Sequence, residues 1–185
     1  MKKIEYGAGV FAIQGFLTAP ECDAYISDSE AMGYDEAEIQ TARGSQMYKD
    51  IRNNDRVIFD DAVMADNIFN RIKAMLPQEL DGWELIGLNE RLRFYRYEPG
   101  QYFKWHRDGS YARSEKEASL LSFLIFLNED YEGGEIAFRW DKIKPEKGSV
   151  VVFPHATMHQ GSTVESGVKY VLRTDVMYQE ALDTK

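Results

Sequence analysis

Apolar and polar positions change rhythm about halfway along the chain. Up to about residue 80 the longer apolar patterns recur at helical spacing, and from residue 83 they alternate or run together as in strands. Val10-Phe11-Ala12-Ile13 predicts a short strand. Thr18 predicts a helix N-cap, with Glu21 three residues on as in a capping box and Pro20 in the first turn. That helix is expected to run to Ala31 or Met32 and to stop at Gly33. Residues 35–56 have no clear period and read as a polar loop containing Arg43-Gly44-Ser45 and Arg52-Asn53-Asn54-Asp55-Arg56. Such a loop is also a candidate flap over a binding site. Asp60-Asp61 predict the cap of a second helix reaching Met75 or Leu76, with Val63, Met64, Ile68, Ile72 and Met75 as its apolar stripe and Pro77 as its end. Both helices are expected to pack on the outside of a sheet.

Strands are expected at 83–88, 91–97, 101–106, 119–128, 135–140, 149–153 and 168–178. Turns fall at Pro99-Gly100, Glu132-Gly133-Gly134 and Lys147-Gly148. The stretch Ser119–Asn128 is almost continuously apolar, as in a strand covered on both faces. Short strands at close intervals with glycine turns predict a mainly β body with flanking helices, a jelly roll. No repeat, low-complexity tract or linker divides the sequence. The expectation is one domain over 1–185, with helical support over about 1–80 and a β core over about 83–178.

Composition narrows the partners. Apolar residues make up 44%, and 31 acidic against 22 basic residues leave a net charge of −9. That acidity argues against a phosphate backbone as the main partner. The single cysteine, Cys22, excludes an intrachain disulfide and suits a reducing compartment. Residues 1–7 lack the apolar core of a signal peptide, and the longest apolar run, Leu120–Leu127, is too short to span a bilayer. A cytoplasmic protein with no membrane and no nucleic-acid partner is expected; nothing here sets its oligomeric state.

The chemistry centres on residues 96–109. In the aromatic strand that ends His106-Arg107-Asp108, alternation puts His106 and Asp108 on one face and turns Arg107 away. A histidine and a carboxylate so placed can share a metal ion. With a second imidazole they would occupy one face of an octahedron, as in non-haem Fe(II) oxygenases. The only other histidines, His155 and His159, lie together after a strand, and spacing admits either. In the last strand Lys169, Val171 and Arg173 share one face, opposite Val168, Tyr170, Leu172, Thr174 and Val176. A cation facing a barrel interior is costly unless an anion meets it, and a dicarboxylate would supply one. Lys169 and Arg173 facing water, or Arg173 paired with Asp175, are the other readings.

These residues together resemble the 2-oxoglutarate- and Fe(II)-dependent oxygenases, in particular the prolyl 4-hydroxylase type. The likeness rests on Tyr97-x-x-Gly100 followed by His106-x-Asp108, on Phe126-Leu127-Asn128 followed by Tyr131-Glu132-Gly133-Gly134-Glu135, and on His159 with Lys169 ten residues later. It covers about residues 90–178. It implies a double-stranded β-helix of the cupin-like kind, with His106, Asp108 and His159 as iron ligands. Lys169 would bind the far carboxylate of 2-oxoglutarate, Tyr97 would line that pocket, and His155 would stand near the site without ligating. Phe126 and Ile136 occupy positions where the family often has tyrosine and threonine, which implies that Ser122 or Arg173 compensates for a missing co-substrate hydrogen bond. The implied cofactors are Fe(II), 2-oxoglutarate and O2, with ascorbate as a further candidate. The implied reaction is hydroxylation of an unidentified protein or small-molecule substrate, a prolyl residue by analogy, with release of succinate and CO2. Tyr111, Trp105, Arg96 and the Arg52–Arg56 segment are candidate substrate contacts. A zinc hydrolase with the same ligands and a non-catalytic jelly roll holding a small acid are the alternatives.

Overall fold

The computed structural model describes residues 1–36, 39–41, 44–46 and 50–181. The described residues include two α-helices. The first, Ala19–Met32, has Thr18 at its N-cap in a capping box with Glu21, whose carboxylate accepts from the Thr18 N–H at 2.8 Å. Gly33 ends it at φ +81°. The second, Ala62–Ile72, is capped by Asp61, whose carboxylate accepts from the Met64 N–H, and runs on as a 3-10 turn over Lys73–Met75. Ala65, Ile68 and Ile72 are its buried residues, whereas Val63 is 71% exposed. Val63 stands five residues before Ile68, about 140° away around a helix of 3.6 residues per turn, and so falls off the apolar stripe.

A long antiparallel sheet forms the body. In order it holds Lys2–Gly7, Val10–Gln14, Val150–Pro154, Glu117–Phe126, Lys169–Glu180, Arg91–Tyr97, Asp55–Asp60 and Asp35–Glu36. A second sheet runs Phe103–His106, His159–Gly161, Ile136–Phe138 and Lys142–Ile143. Period-two alternation sends successive side chains of the long sheet to opposite layers. Leu92, Phe94, Phe123, Ile125, Val150, Val152, Leu172 and Val176 pack with the helix residues Ile68 and Ile72. Tyr95, Tyr97, Phe126, Val151, Phe153 and Val171 pack instead with Ile136, Phe138 and Ile143 of the second sheet. Helices cover one face of the sheet, and a smaller sheet covers the other, the double-stranded β-helix arrangement.

The polar stretch expected as a loop carries strands at Asp35–Glu36, Ile39–Thr41, Gly44–Gln46 and Asp55–Asp60. In the last of these Val57 and Phe59 turn to the core between outward Arg56 and Ile58, an alternation that the surrounding charges disguise. Arg43, named with that loop, lies outside the described residues, as does the middle of the candidate flap. No helix among the described residues is long and apolar enough to cross a membrane.

Candidate metal centre

Strand register brings the two imidazoles together. His106 ends the strand Phe103–His106 and is the direct cross-strand partner of His159, which opens His159–Gly161. Their ring centroids are 4.2 Å apart. Asp108 follows two residues on, and its N–H donates to the His155 carbonyl at 3.0 Å. One ligand atom from each of His106, Asp108 and His159 lies within 4.8 Å of the other two. The His106 Nε2 is 3.6 Å from one carboxylate oxygen of Asp108 and the His159 Nε2 is 3.6 Å from the other.

Hydrogen bonds fix which nitrogens face inward. The Nδ1 of His106 lies 2.7 Å from the Lys104 carbonyl and that of His159 lies 2.9 Å from the Thr157 carbonyl. A carbonyl only accepts, so each Nδ1 carries the proton and each Nε2 presents its lone pair to the centre. The His106 Nε2 is buried without a hydrogen-bond partner. Burial pushes the His159 imidazole down to about 4, although the Asp108 carboxylate opposes this, so the ring is neutral at physiological pH. Burial alone would raise the Asp108 carboxyl. The Arg173 guanidinium at 3.0 Å and the two histidines outweigh it and hold the group well below the usual carboxylate range. Two imidazoles, an ionised carboxylate and an orphaned inward nitrogen form a donor set suited to Fe(II), and equally to other divalent first-row ions.

His155 does not join the ligand set. Its Nδ1 lies 2.8 Å from the Ser122 hydroxyl and its Nε2 lies 2.9 Å from that of Ser119. Ser122, expected beside the co-substrate, instead donates to Asp108 Oδ2 at 2.6 Å. Its strand neighbours are Phe153 and Asp175, so it approaches the carboxylate from behind the pocket wall.

Lys169 is the cross-strand partner of Tyr97, and both line one pocket with the three candidate ligands. Lys169 is 3% exposed, and its ammonium donates to the Gly134 carbonyl at 2.6 Å and lies 5.1 Å and 5.3 Å from the ring centres of Tyr97 and Phe126. Among the described residues no carboxylate pairs with it. Burial lowers it to about 8 despite the pull of Glu135. Phe126 and Ile136 also line the pocket, so neither supplies a hydroxyl there. Arg173 lies on the same wall, bonded to Asp108 and, at 3.4 Å, to the Tyr95 hydroxyl; Asp175 is 3.5 Å away.

Tyr95 is a pocket residue that the sequence reading did not single out. The signal was present, since Arg93, Tyr95 and Tyr97 alternate on one face of their strand. Arg52 packs its guanidinium over the rings of Tyr95 and Phe103, each centre 4.5 Å away. Of the candidate substrate contacts, Tyr111 lines the outer cavity at 41% exposure, and Trp105 lies under Arg139. Arg96 points elsewhere and pairs with Glu30 and Asp55.

Comparison with known proteins agrees with this geometry. Residues 92–174 match the 2OG-Fe(II) oxygenase superfamily. A PKHD-type hydroxylase of Prochlorococcus marinus (strain NATL2A) is 33% identical over 98 residues, covering 50% of this chain and 43% of the relative. A PKHD-type hydroxylase of Crocosphaera subtropica is 35% identical over 92 residues, covering 44% and 40%. The chain thus spans less than half the length of each of these two relatives. A viral collagen prolyl hydroxylase from Paramecium Bursaria Chlorella virus-1 shares the fold with a TM-score of 0.65 at 24% identity, over 95% of this chain and 98% of that one. A prolyl-4-hydroxylase of Pseudomonas putida does so with a TM-score of 0.67 at 18% identity, over 91% and 92%. Residues 92–174, which include all three candidate ligands and Lys169, are thus similar to the 2OG-Fe(II) oxygenase superfamily, on a fold shared with prolyl hydroxylases.

Proposed function

We propose that this domain is a dioxygenase that couples oxidative decarboxylation of 2-oxoglutarate to hydroxylation of a second substrate. One observation carries the reading: a buried ammonium that pairs with no carboxylate among the described residues lines the same pocket as a His-Asp-His cluster. His106, Asp108 and His159 would hold Fe(II), which when bound supplies the O2 chemistry. Lys169 would take the distal carboxylate of 2-oxoglutarate through a charge-assisted hydrogen bond. Tyr97, the cross-strand partner of Lys169, would stand beside that carboxylate, and Tyr95, Phe126, Ile136 and Val171 complete the pocket wall. The protein's part is placement and exclusion of water.

A zinc hydrolase with the same three ligands has no use for the Lys169 ammonium. A non-catalytic acid-binding jelly roll would use it but would release no succinate. A prolyl residue in a polypeptide is the first substrate to test, since the viral and Pseudomonas neighbours are prolyl hydroxylases. A further neighbour from Trichoplax adhaerens is a prolyl hydroxylase in complex with a hypoxia inducible factor peptide fragment. The single cysteine supports a reducing, cytoplasmic setting. The experiment is succinate release from 2-oxoglutarate, with and without added Fe(II), across peptides, proteins and metabolites. Fe(II)-dependent succinate that disappears in His106→Ala and Asp108→Ala is expected. Turnover that survives either change would rule out this iron site.

A further inference from the structure

Outside the pocket, a larger cavity of about 660 Å³ opens on His106 and Asp108, a volume that suits a small molecule or a short chain segment. Its walls carry Arg52, Arg56, Arg91, Arg93, Arg107 and Arg173 against two carboxylates, Asp108 and Asp175. Six guanidiniums around one opening stand out in a chain of net charge −9. Some are already engaged: Arg91 with Asp60, and Arg93 and Arg173 with Asp175. Two observations point to a ligand. Arg52 is 4% exposed, and its Nε is bonded to Asn54 at 2.6 Å while its Nη2 is buried with no partner. Arg107 is exposed on the same wall with no ionic partner among the described residues. A buried guanidinium nitrogen left unbonded is costly, and an incoming anion removes that cost.

From this arrangement we propose that the substrate hydroxylated at this centre carries a carboxylate, which Arg52 and Arg107 bind at the cavity wall. The proposal rests on the oxygenase reading and gives it a substrate class. A guanidinium fork matches a carboxylate in bidentate geometry. A long phosphate backbone fits less well, because beyond the opening it would meet a predominantly acidic molecule. The apolar rim residues Ile51, Ile58 and Tyr111 would take the substrate's hydrocarbon part.

The test measures binding of fluorescein-labelled hexaglutamate and hexaglutamine peptides to Mn(II)-loaded protein saturated with 2-oxoglutarate, at fixed salt. Hexaglutamate is expected to bind roughly tenfold more tightly than hexaglutamine. Arg107→Gln, which is exposed and should fold, and Arg52→Gln should each remove most of that preference, while the distant Lys116→Gln should not. Displacement by tricarballylate would assign the carboxylate to a small acid, and failure to displace would assign it to an acidic polypeptide; either keeps the carboxylate. Equal affinity for the two peptides, a preference that survives both arginine changes, or tighter binding of an oligothymidylate would overturn the proposal. Binding of 2-oxoglutarate on the same sample is read separately. Its absence would refute the oxygenase reading while leaving the peptide result to stand on its own.

Discussion

The residue that best separates function from stability here is Lys169. Its ammonium lies among aromatic rings and pairs with no carboxylate among the described residues, and burial lowers it to about 8. In the unfolded chain a lysine titrates near 10.4. Between these values the unfolded chain holds more protons, so this residue makes stability rise with pH from about 8 towards the ordinary lysine range. Lys169→Met should therefore raise the Tm at pH 7 by a few degrees, flatten that slope, and abolish 2-oxoglutarate binding. A lower Tm in the variant, measured by calorimetry across pH, would contradict this account of the ammonium. Ser122 has the opposite profile. Ser122→Ala removes the 2.6 Å hydrogen bond to Asp108, and metal affinity should fall by roughly 10- to 100-fold with little change of fold. At this scale the sequence was partly legible. Strand alternation alone put His106 and Asp108 on one face. It could not choose between His155 and His159, because they stand four residues apart in one segment. Pairing with a distant strand decides, and register is not written locally.

Among the elements, the last strand organises the molecule. Lys169–Glu180 pairs with Glu117–Phe126, Arg91–Tyr97 and Trp83–Leu88, and so presents Lys169 and Arg173 to the pocket while Leu172 and Val176 face the helices. Its alternation is clean, so its two faces could be assigned from sequence. The strand Asp55–Asp60 was not found, because its inward residues, Val57 and Phe59, are only two and are flanked by charge. Turns matter as much as strands. Gly148 has φ +76°, its carbonyl accepts from the N–H groups of Phe16 and Leu17, and a Cβ there would strike the Leu17 carbonyl. Gly148→Ala should cost about 2 kcal/mol or more in urea unfolding at unchanged m-value. A loss below a few tenths of that would mean the turn relaxes freely.

On the scale of the whole molecule, the helix layer stabilises one face of the long sheet, while the other face and the smaller sheet enclose the chemistry. The two apolar layers were foreseeable, since β texture follows helical texture along the chain. The arginine-walled cavity was not, because its residues come from four separated stretches of a net acidic sequence, and their convergence is a product of topology. The account rests on one ion shared by three side chains, two on paired strands and one on the loop that follows the first of them. Anaerobic equilibrium binding of Fe(II), followed by metal analysis of the separated protein, tests that most directly. The wild-type chain should hold one ion per molecule, and His106→Ala combined with His159→Ala should leave it with none at the same free Fe(II). An ion retained with unchanged affinity in that double variant would contradict the metal centre, and with it the function proposed for the domain.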